Sequence, residues 1–172
     1  MTLDILNVPK ACEYAIAEAL RKNAELGKGV ALRTWQNLES DGSWDKKKDL
    51  TFPLVDIRAT MPVPNEDQQT MECNTQVLCG TLTDEDRNHQ TIGPLNAAVY
   101  GVLFELFAQF MASEDGTYGT ELTAYLAVLT RELGTTYHFG GLSFGGPVLP
   151  YDDGGHNMIG VNFILHFARD YS

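Results

Sequence analysis

The chain has 172 residues, of which 44% are hydrophobic and 20% are charged, a composition that excludes disorder over most of its length. Its 23 Asp and Glu residues outnumber its 12 Lys and Arg residues and give a formal net charge of −11. Proteins that read nucleic-acid sequence need clustered Lys and Arg, so this charge disfavours that class. We expect residues 1–172 to form a single domain without a secretory signal or a membrane span.

The first half of the chain predicts one helix followed by three strands. The helix begins near Val8-Pro9 and has an apolar stripe at four-residue spacing, with Glu13 on a different face. Two prolines within Met61–Asn65 exclude a central strand there, because proline cannot donate a backbone hydrogen bond. The three predicted strands are Gly29–Leu38, Phe52–Thr60 and Gln69–Leu82.

The second half predicts two helices and a C-terminal hairpin. A helix from about Gly93 to Met111 is apolar on nearly every side, which indicates the central helix of the core. A shorter helix follows at Thr120–Leu133 and is ended by a glycine. In the last strand every second residue is apolar, which is typical of a strand with one buried face. These apolar residues are Ile159, Val161, Phe163, Leu165 and Phe167.

Together these elements predict an α+β fold. We expect a largely antiparallel sheet of about five strands, with two or three helices packed on one face of it. The second and third strands should pair as a meander joined by an acidic loop.

No motif in the chain predicts catalysis, a cofactor or a metal. The three cysteines include two on the apolar side of the third strand, where inert thiols are expected. One set of residues could form a metal site. Its spacing matches no usual ligand pattern, so a solvated turn is the favoured interpretation. That set is Asp152, Asp153, His156 and His166. We therefore expect a binding or structural role and no enzyme activity.

The order of the predicted elements is more specific than any short motif. An acidic break at Asp84 and Asp86 divides the order into two parts. The first part is a helix, a strand, a long loop and two further strands. The second part is two helices and a glycine-rich hairpin. The pattern runs from about Pro9 to Tyr171 and is carried by Phe52–Ile57, Gln76–Thr81, Leu95–Phe107 and Gly160–Leu165. This order resembles the tail terminator and tail completion proteins of long-tailed bacteriophages.

The resemblance implies a structural virion protein without cofactors. Such proteins assemble in the host cytoplasm as a homohexameric ring at the head-proximal end of the tail tube. The ring stops tube polymerisation and joins the tail to the head-closure or connector protein. Its expected partners are therefore further copies of itself, the tail tube protein and the connector protein, with no membrane. Because each copy carries −11, genomic DNA in the pore is expected to pass without specific binding.

Charge and expected exposure suggest which residues make the contacts. The polar loop with the only basic run is expected to dock on a partner, although such a run is also typical of a solvated loop. Two acidic groups are expected to line the pore or a contact surface, although acids before a helix also satisfy its N-terminal amides. The candidates are Asp45, Lys46, Lys47 and Lys48 in the loop, and Glu66, Asp67, Asp84, Glu85 and Asp86 among the acids.

Three alternatives remain open from the sequence alone. The chain could be another neck or tail structural protein, such as a head-closure or tube subunit, although two strong helices disfavour a tube subunit. It could also be a small metal-binding enzyme that uses the Asp152–His166 set. A bacterial adaptor protein unrelated to phages is the third alternative.

Overall fold

The predicted α+β class is confirmed by a computed structural model, which describes residues 7–26, 29–34, 53–66, 69–86, 90–134 and 137–169. The described residues form three helices and a six-stranded sheet whose strands are mostly antiparallel. The helices are α1 (Asn7–Arg21), α2 (Ile92–Met111) and α3 (Thr120–Leu133). The strands are β1 (Ala31–Thr34), β2 (Leu54–Ala59), β3 (Val63–Pro64), β4 (Thr70–Leu82), β5 (Tyr137–Asp152) and β6 (His156–Arg169).

The centre of the sheet is a long antiparallel pair formed by β4 and β6. The strand order is β1-β2-β4-β6-β5, and β3 adds two residues beside the start of β4. Only β1 and β2 pair in parallel. Gly160 lies opposite Leu78 in the central pair, and a Cβ atom at this glycine would collide with the carbonyl oxygen of Val77. A glycine is therefore needed where these two backbones approach closely.

The two faces of the central pair differ in polarity. One face carries Val77 and Phe163, both almost fully buried, in one apolar cluster with residues from all three helices. The opposite face carries polar side chains, including Asn74 and Asn162, whose side chains are joined by a hydrogen bond of 3.0 Å. The alternation predicted for β4 and β6 is thus confirmed, and the helices lie on the apolar face.

The helix at the centre of the core is α1, so the prediction that α2 is the central helix was wrong. α1 contacts β1, β2 and β4 on one side and α3 on another. It buries small and branched side chains along most of its length, whereas α2 buries one stripe only. The buried stripe of α2 consists of Ile92, Leu95, Val99, Leu103 and Leu106. The apolar composition of α2 therefore does not mean that every side of this helix is buried.

Glu13 of α1 is fully buried, which corrects the sequence-based expectation that it faces away from the core. Its Oε2 atom accepts a hydrogen bond of 3.0 Å from the backbone N–H of Ala59, at the end of β2. A buried carboxylate is costly unless such partners satisfy it. The side chain therefore fixes the first helix to the sheet.

We expect Glu13→Ala to lower the free energy of unfolding by about 1–3 kcal/mol, because the N–H of Ala59 loses its buried acceptor. Chemical denaturation monitored by circular dichroism measures the change. Glu18→Ala is the matched control on the same helix, since its exposed ion pair with Arg21 contributes at most about 1 kcal/mol. Equal effects of the two substitutions on the unfolding free energy would contradict the role of Glu13 in fixing α1 to the sheet.

All three cysteines are buried, as the sequence predicted for inert thiols. Cys12, Cys73 and Cys79 are each at most 1% exposed. Burial raises the pKa of Cys79 from 9.0 to about 12. A hydrogen bond with the Cys73 side chain, together with burial, raises the pKa of Cys12 as well.

We expect a thiol reagent such as dithionitrobenzoate to label none of the three cysteines in the native protein at pH 8, and all three in denaturant. Folding also raises the pKa values of Cys12 and Cys79 above those of the unfolded chain. The unfolding free energy should therefore fall as the pH rises above about 9, where the unfolded thiols ionise first. Rapid labelling of the native chain would show that the core opens locally.

Candidate functional site

The outward side of α2 exposes large apolar side chains. Tyr100 is 42% exposed, Phe104 is 51% exposed and Met111 is 65% exposed. A single charged residue, Glu105, occurs in the whole helix. Isolated exposed apolar residues are ordinary, but a contiguous group marks an interaction surface.

An aromatic ridge, defined as Tyr100, Phe104, Phe107 and Phe144, joins α2 to β5. The ring of Phe144 stacks on Tyr100 with centroids 5.0 Å apart, and it lies 6.4 Å from Phe104 and 5.7 Å from Phe107. The same ring contacts buried Phe163 edge-on at 5.2 Å. The ridge is therefore held by the core and needs no rearrangement to present its outer rings.

The ridge lies beside the edge of the sheet. Among the described residues, β5 pairs with β6 on one side and with no strand on the other. The β5 ladder has three register shifts, and the strand contains Pro147 and Pro150. Irregularities and prolines of this kind make a poor template for adding another strand. The exposed side chains of the ridge are thus a better contact surface than the β5 backbone.

By length and composition alone, α2 could also cross a membrane. It has 20 residues, and an 18-residue window of it has a mean hydropathy of 1.2. In that window, 22% is buried. It is the single such helix among the described residues, and core helices of soluble proteins pass the same test. Membrane-surface helices usually carry Lys or Arg on their polar face, and α2 has neither.

A second feature, the helix groove, is an open cavity of about 460 Å³ between the three helices. Small residues line it together with charged side chains, most of which are exposed and stand around its mouth. The small residues include Ala15, Ala19, Ala98, Gly101 and Ala124, and the charged residues include Glu18, Lys22, Glu105 and Glu121. The ridge and the groove use different residues of the same helix: Tyr100, Phe104 and Phe107 belong to the ridge, whereas Ala98, Gly101 and Glu105 line the groove.

Two carboxylates at the groove mouth are held by one amide. The Nε2 atom of Gln109 donates to Glu105 at 2.9 Å and also to Glu121. The Oε1 atom of the same side chain accepts from the backbone N–H of Leu122 at 2.9 Å. The hydrogen bond from Gln109 lowers the pKa of Glu121, and the positive charge of Lys22 acts in the same direction.

The predicted contact residues do not come together at one site. Asp45, Lys46, Lys47, Lys48 and Asp67 lie outside the described residues. Glu66 is exposed before β4 begins, and Asp84 and Glu85 are exposed after it ends. The 13 residues of β4 separate these two acidic groups by about 40 Å, so they cannot form a single patch.

Asp86 is only 5% exposed and belongs to the structural framework, so its expected place on a contact surface is corrected. Its carboxylate accepts hydrogen bonds from the backbone N–H groups of Thr91 at 2.7 Å and Ile92 at 3.1 Å. It also accepts from the Thr81 hydroxyl at 2.7 Å. The alternative sequence interpretation, that an acid satisfies the helix N-terminus, is confirmed at this residue.

The residues proposed for a metal site are spread along the hairpin. Asp152 accepts hydrogen bonds from the N–H of Gly155 and from the Thr83 hydroxyl. His156 and His166 are ten residues apart in β6, which places them about 33 Å apart. In the described parts of the chain, no three His, Cys, Asp or Glu side chains gather as metal ligands.

The polar sheet face holds a group that sequence analysis did not find. The Ser143 hydroxyl lies 2.7 Å from Nε2 of His166, and Glu72 lies 3.9 Å from the Nδ1 atom of that ring. Serine hydrolases use these groups in this order. The 3.9 Å separation is too long for a hydrogen bond, and the side chains project from neighbouring strands of a polar sheet face. We interpret them as a cross-strand polar ladder.

The exposed side of α2 was also missed, although the sequence carries a signal for it. Tyr100 and Phe104 are four residues apart and therefore share one side of the helix. That side differs from the one that carries Leu95 and Val99. One apolar side of the helix packs on the core, and the other is left exposed.

We expect Asp86→Ala to lower the unfolding free energy by about 1–3 kcal/mol, because two helix N–H groups and a hydroxyl lose their acceptor. Thermal and denaturant unfolding measure the loss. Asp84→Ala, in the same turn but exposed, should change stability by less than about 0.5 kcal/mol. A large effect at Asp84 and none at Asp86 would reverse the assignment.

Comparison with known proteins adds no family assignment. No protein-family model matches the sequence, and no curated protein matches it. The resemblance to tail terminators therefore stays a prediction, and the exposed aromatic ridge is the feature from which function is argued.

Proposed function

We propose that this protein is a structural subunit of a phage particle that assembles as a homohexameric ring on the head-proximal end of the tail tube. In this role it ends tube polymerisation and joins the tail to the head connector. The observation that carries the proposal is the exposed aromatic ridge on α2. The order of elements that resembles tail terminators supports the same assignment.

The size of the ridge suits the centre of a protein contact. An aromatic side chain has roughly 150–250 Å² of surface, so Tyr100 and Phe104 each expose on the order of 100 Å². At about 25 cal/mol per Å², covering each would contribute about 2.5 kcal/mol. A standard interface hides about 800 Å² on each partner, so the surroundings of the ridge must also take part.

Charge favours this face for contact between copies. Two copies that each carry −11 repel one another, and the repulsion is weakest where the facing surfaces hold few charges. The side chains of the ridge carry no charge, and the nearest carboxylate on α2 is that of Glu105, which Gln109 links to Glu121 of α3. Copies can therefore meet here at a low electrostatic cost.

A ring requires each copy to use two different surfaces, because its contacts run head to tail. The two edges of the sheet offer such a pair. The aromatic ridge lies at the β5 edge, whereas β1 forms the opposite edge. A contact that joins unlike surfaces closes into a ring when the rotation per subunit permits it.

We expect native mass spectrometry and electron microscopy of the purified protein to show hexameric rings, and Phe104→Glu to reduce their formation at least tenfold. The reason is that a carboxylate replaces the apolar centre of the contact and would be buried without a partner. Ala127→Glu, exposed on α3, adds the same charge elsewhere and should leave rings intact. Unchanged thermal unfolding of both variants confirms folding.

Rings that form equally well from the Phe104→Glu variant would contradict the role of the ridge. A wild-type protein that stays monomeric even with tail tubes would contradict the proposed function. Binding to anionic lipid vesicles that is lost in the same variant would instead identify α2 as a membrane contact.

A further inference from the structure

We infer that the proline arm, defined as Met61–Pro64, is the surface of the next copy that covers the aromatic ridge. This inference rests on the proposed ring and deepens it by naming both sides of the contact between neighbouring copies. Both surfaces belong to the described chain. The arm contains β3 and lies beside the start of β4, at the edge of the sheet opposite to β5.

The large apolar side chains that are strongly exposed in the described chain fall into two groups. One group lies on α2 and β5 and consists of Tyr100, Phe104, Met111, Leu149 and Tyr151. The other group lies in the proline arm, where Met61 is 49% exposed and Val63 is 58% exposed. A head-to-tail contact joins two unlike surfaces. The arm is therefore the described apolar surface that can pair with the ridge of another copy.

The arm cannot reach the ridge of its own copy. Three strand spacings, from β3 across β4 and β6 to β5, separate the two surfaces by roughly 14 Å. They also lie on opposite faces of the sheet. Val63 pairs with Glu72 and shares the polar face with it, whereas Phe144 packs against buried Phe163 on the helix face. A contact between arm and ridge therefore requires a second copy.

The arm is stiff before any contact forms. Each of its residues is either a proline, whose φ angle is fixed, or precedes a proline, which restricts it to extended conformations. Before the arm, the N–H of Thr60 donates to the carbonyl oxygen of Asn74 at 2.9 Å. After the arm, the N–H of Asn65 donates to the carbonyl oxygen of Thr70 at 2.9 Å. A segment that is already ordered loses little conformational entropy when it binds.

The chemistry and the spacing of the two surfaces match. Extended proline-rich segments bind aromatic-lined surfaces, and the methionine sulfur makes favourable contacts with aromatic rings. Met61 and Val63 are two residues apart in an extended segment, which separates them by about 7 Å. Tyr100 and Phe104 are four residues apart in a helix, which separates them by about 6 Å along its axis. The arm can thus place one apolar side chain over each outer ring.

The arm offers its side chains for contact rather than its backbone. Two of its four residues are prolines, which lack the N–H that a further strand would need, so strand addition at this edge is disfavoured. All four residues are uncharged, as are the side chains of the ridge. Copies that each carry −11 can therefore meet through these two surfaces without bringing carboxylates together.

Two variants that each spoil one surface test the inference. Val63→Glu places a carboxylate in the arm and Phe104→Glu places one in the ridge, so each variant alone should form rings about tenfold less well. In an equimolar mixture, the intact ridge of the first variant can still bind the intact arm of the second. We expect native mass spectrometry to detect this heterodimer at concentrations where each variant alone is monomeric.

A photo-crosslink tests whether the two surfaces touch. Benzoylphenylalanine in place of Phe104 keeps an aromatic ring in the ridge and reacts with nearby C–H bonds when it is irradiated. Rings are assembled from a mixture of isotope-labelled and unlabelled copies, so that mass spectrometry separates crosslinks between copies from crosslinks within one copy. We expect the crosslinked peptides to join position 104 of one copy to the arm of another.

Two controls separate this contact from general effects of charge and from misfolding. Ala127→Glu, exposed on α3, adds the same charge as Val63→Glu and should leave rings intact. Val63→Ile changes the same position but keeps it apolar, so it should also leave rings intact. Thermal unfolding checks that every variant is folded.

The outcomes distinguish the inference from the proposed function. If wild-type rings form and Val63→Glu forms them equally well, the inference is overturned while the ring stands. Crosslinks from position 104 to other segments, or to the arm of the same chain, also overturn it. If Val63→Glu alone forms dimers through its intact ridge, the ridge binds a second ridge and not the arm. If wild-type rings never form, the proposed function itself fails and the inference falls with it.

Discussion

The pairing of β4 with β6 is the constraint on which the other contacts of this fold depend. Thirteen residues of β4 lie against β6 without a register shift, so every side chain on both strands is assigned to one face. The apolar face forms the core with the three helices, and β5 is placed at one edge where Phe144 can reach α2. A shift of one residue would exchange the two faces and expose the core. The pairing of β5 with β6 then places Phe144 opposite Phe163 and beside α2, which forms the aromatic ridge.

The sequence predicted the regular parts of the fold because their patterns repeat. The alternation in β6 determines its buried face, and the prolines of Met61–Asn65 limit β3 to two residues. Glu13 could not be assigned in this way, because its burial depends on the N–H of Ala59, a distant donor on β2. Asp86 is different, because its donors lie close in sequence and an acid that satisfies a helix N-terminus was one of the two interpretations open from the sequence. The distribution of apolar residues in α2 indicated a helix correctly, but it could not show which side the core would leave exposed.

The candidate site combines features that differ in how far they can be predicted from sequence. Tyr100 and Phe104 could be placed on one side of a helix by their spacing alone. The link between Glu105 and Glu121 could not, because Gln109 joins two helices whose packing must be known first. The same holds for the ladder of Ser143, His166 and Glu72, which requires the strand register. Side chains that act together across elements are therefore found only in the folded chain.

The irregular β5 edge has a consequence for how the protein can accumulate in a cell. Amyloid growth needs a flat strand edge on which identical chains stack in register without limit. Pro147, Pro150 and the three shifts in the β5 ladder interrupt such stacking at short intervals. A second chain could therefore pair with only short stretches of this edge, and stacking of identical chains on it is not expected to extend into a fibril.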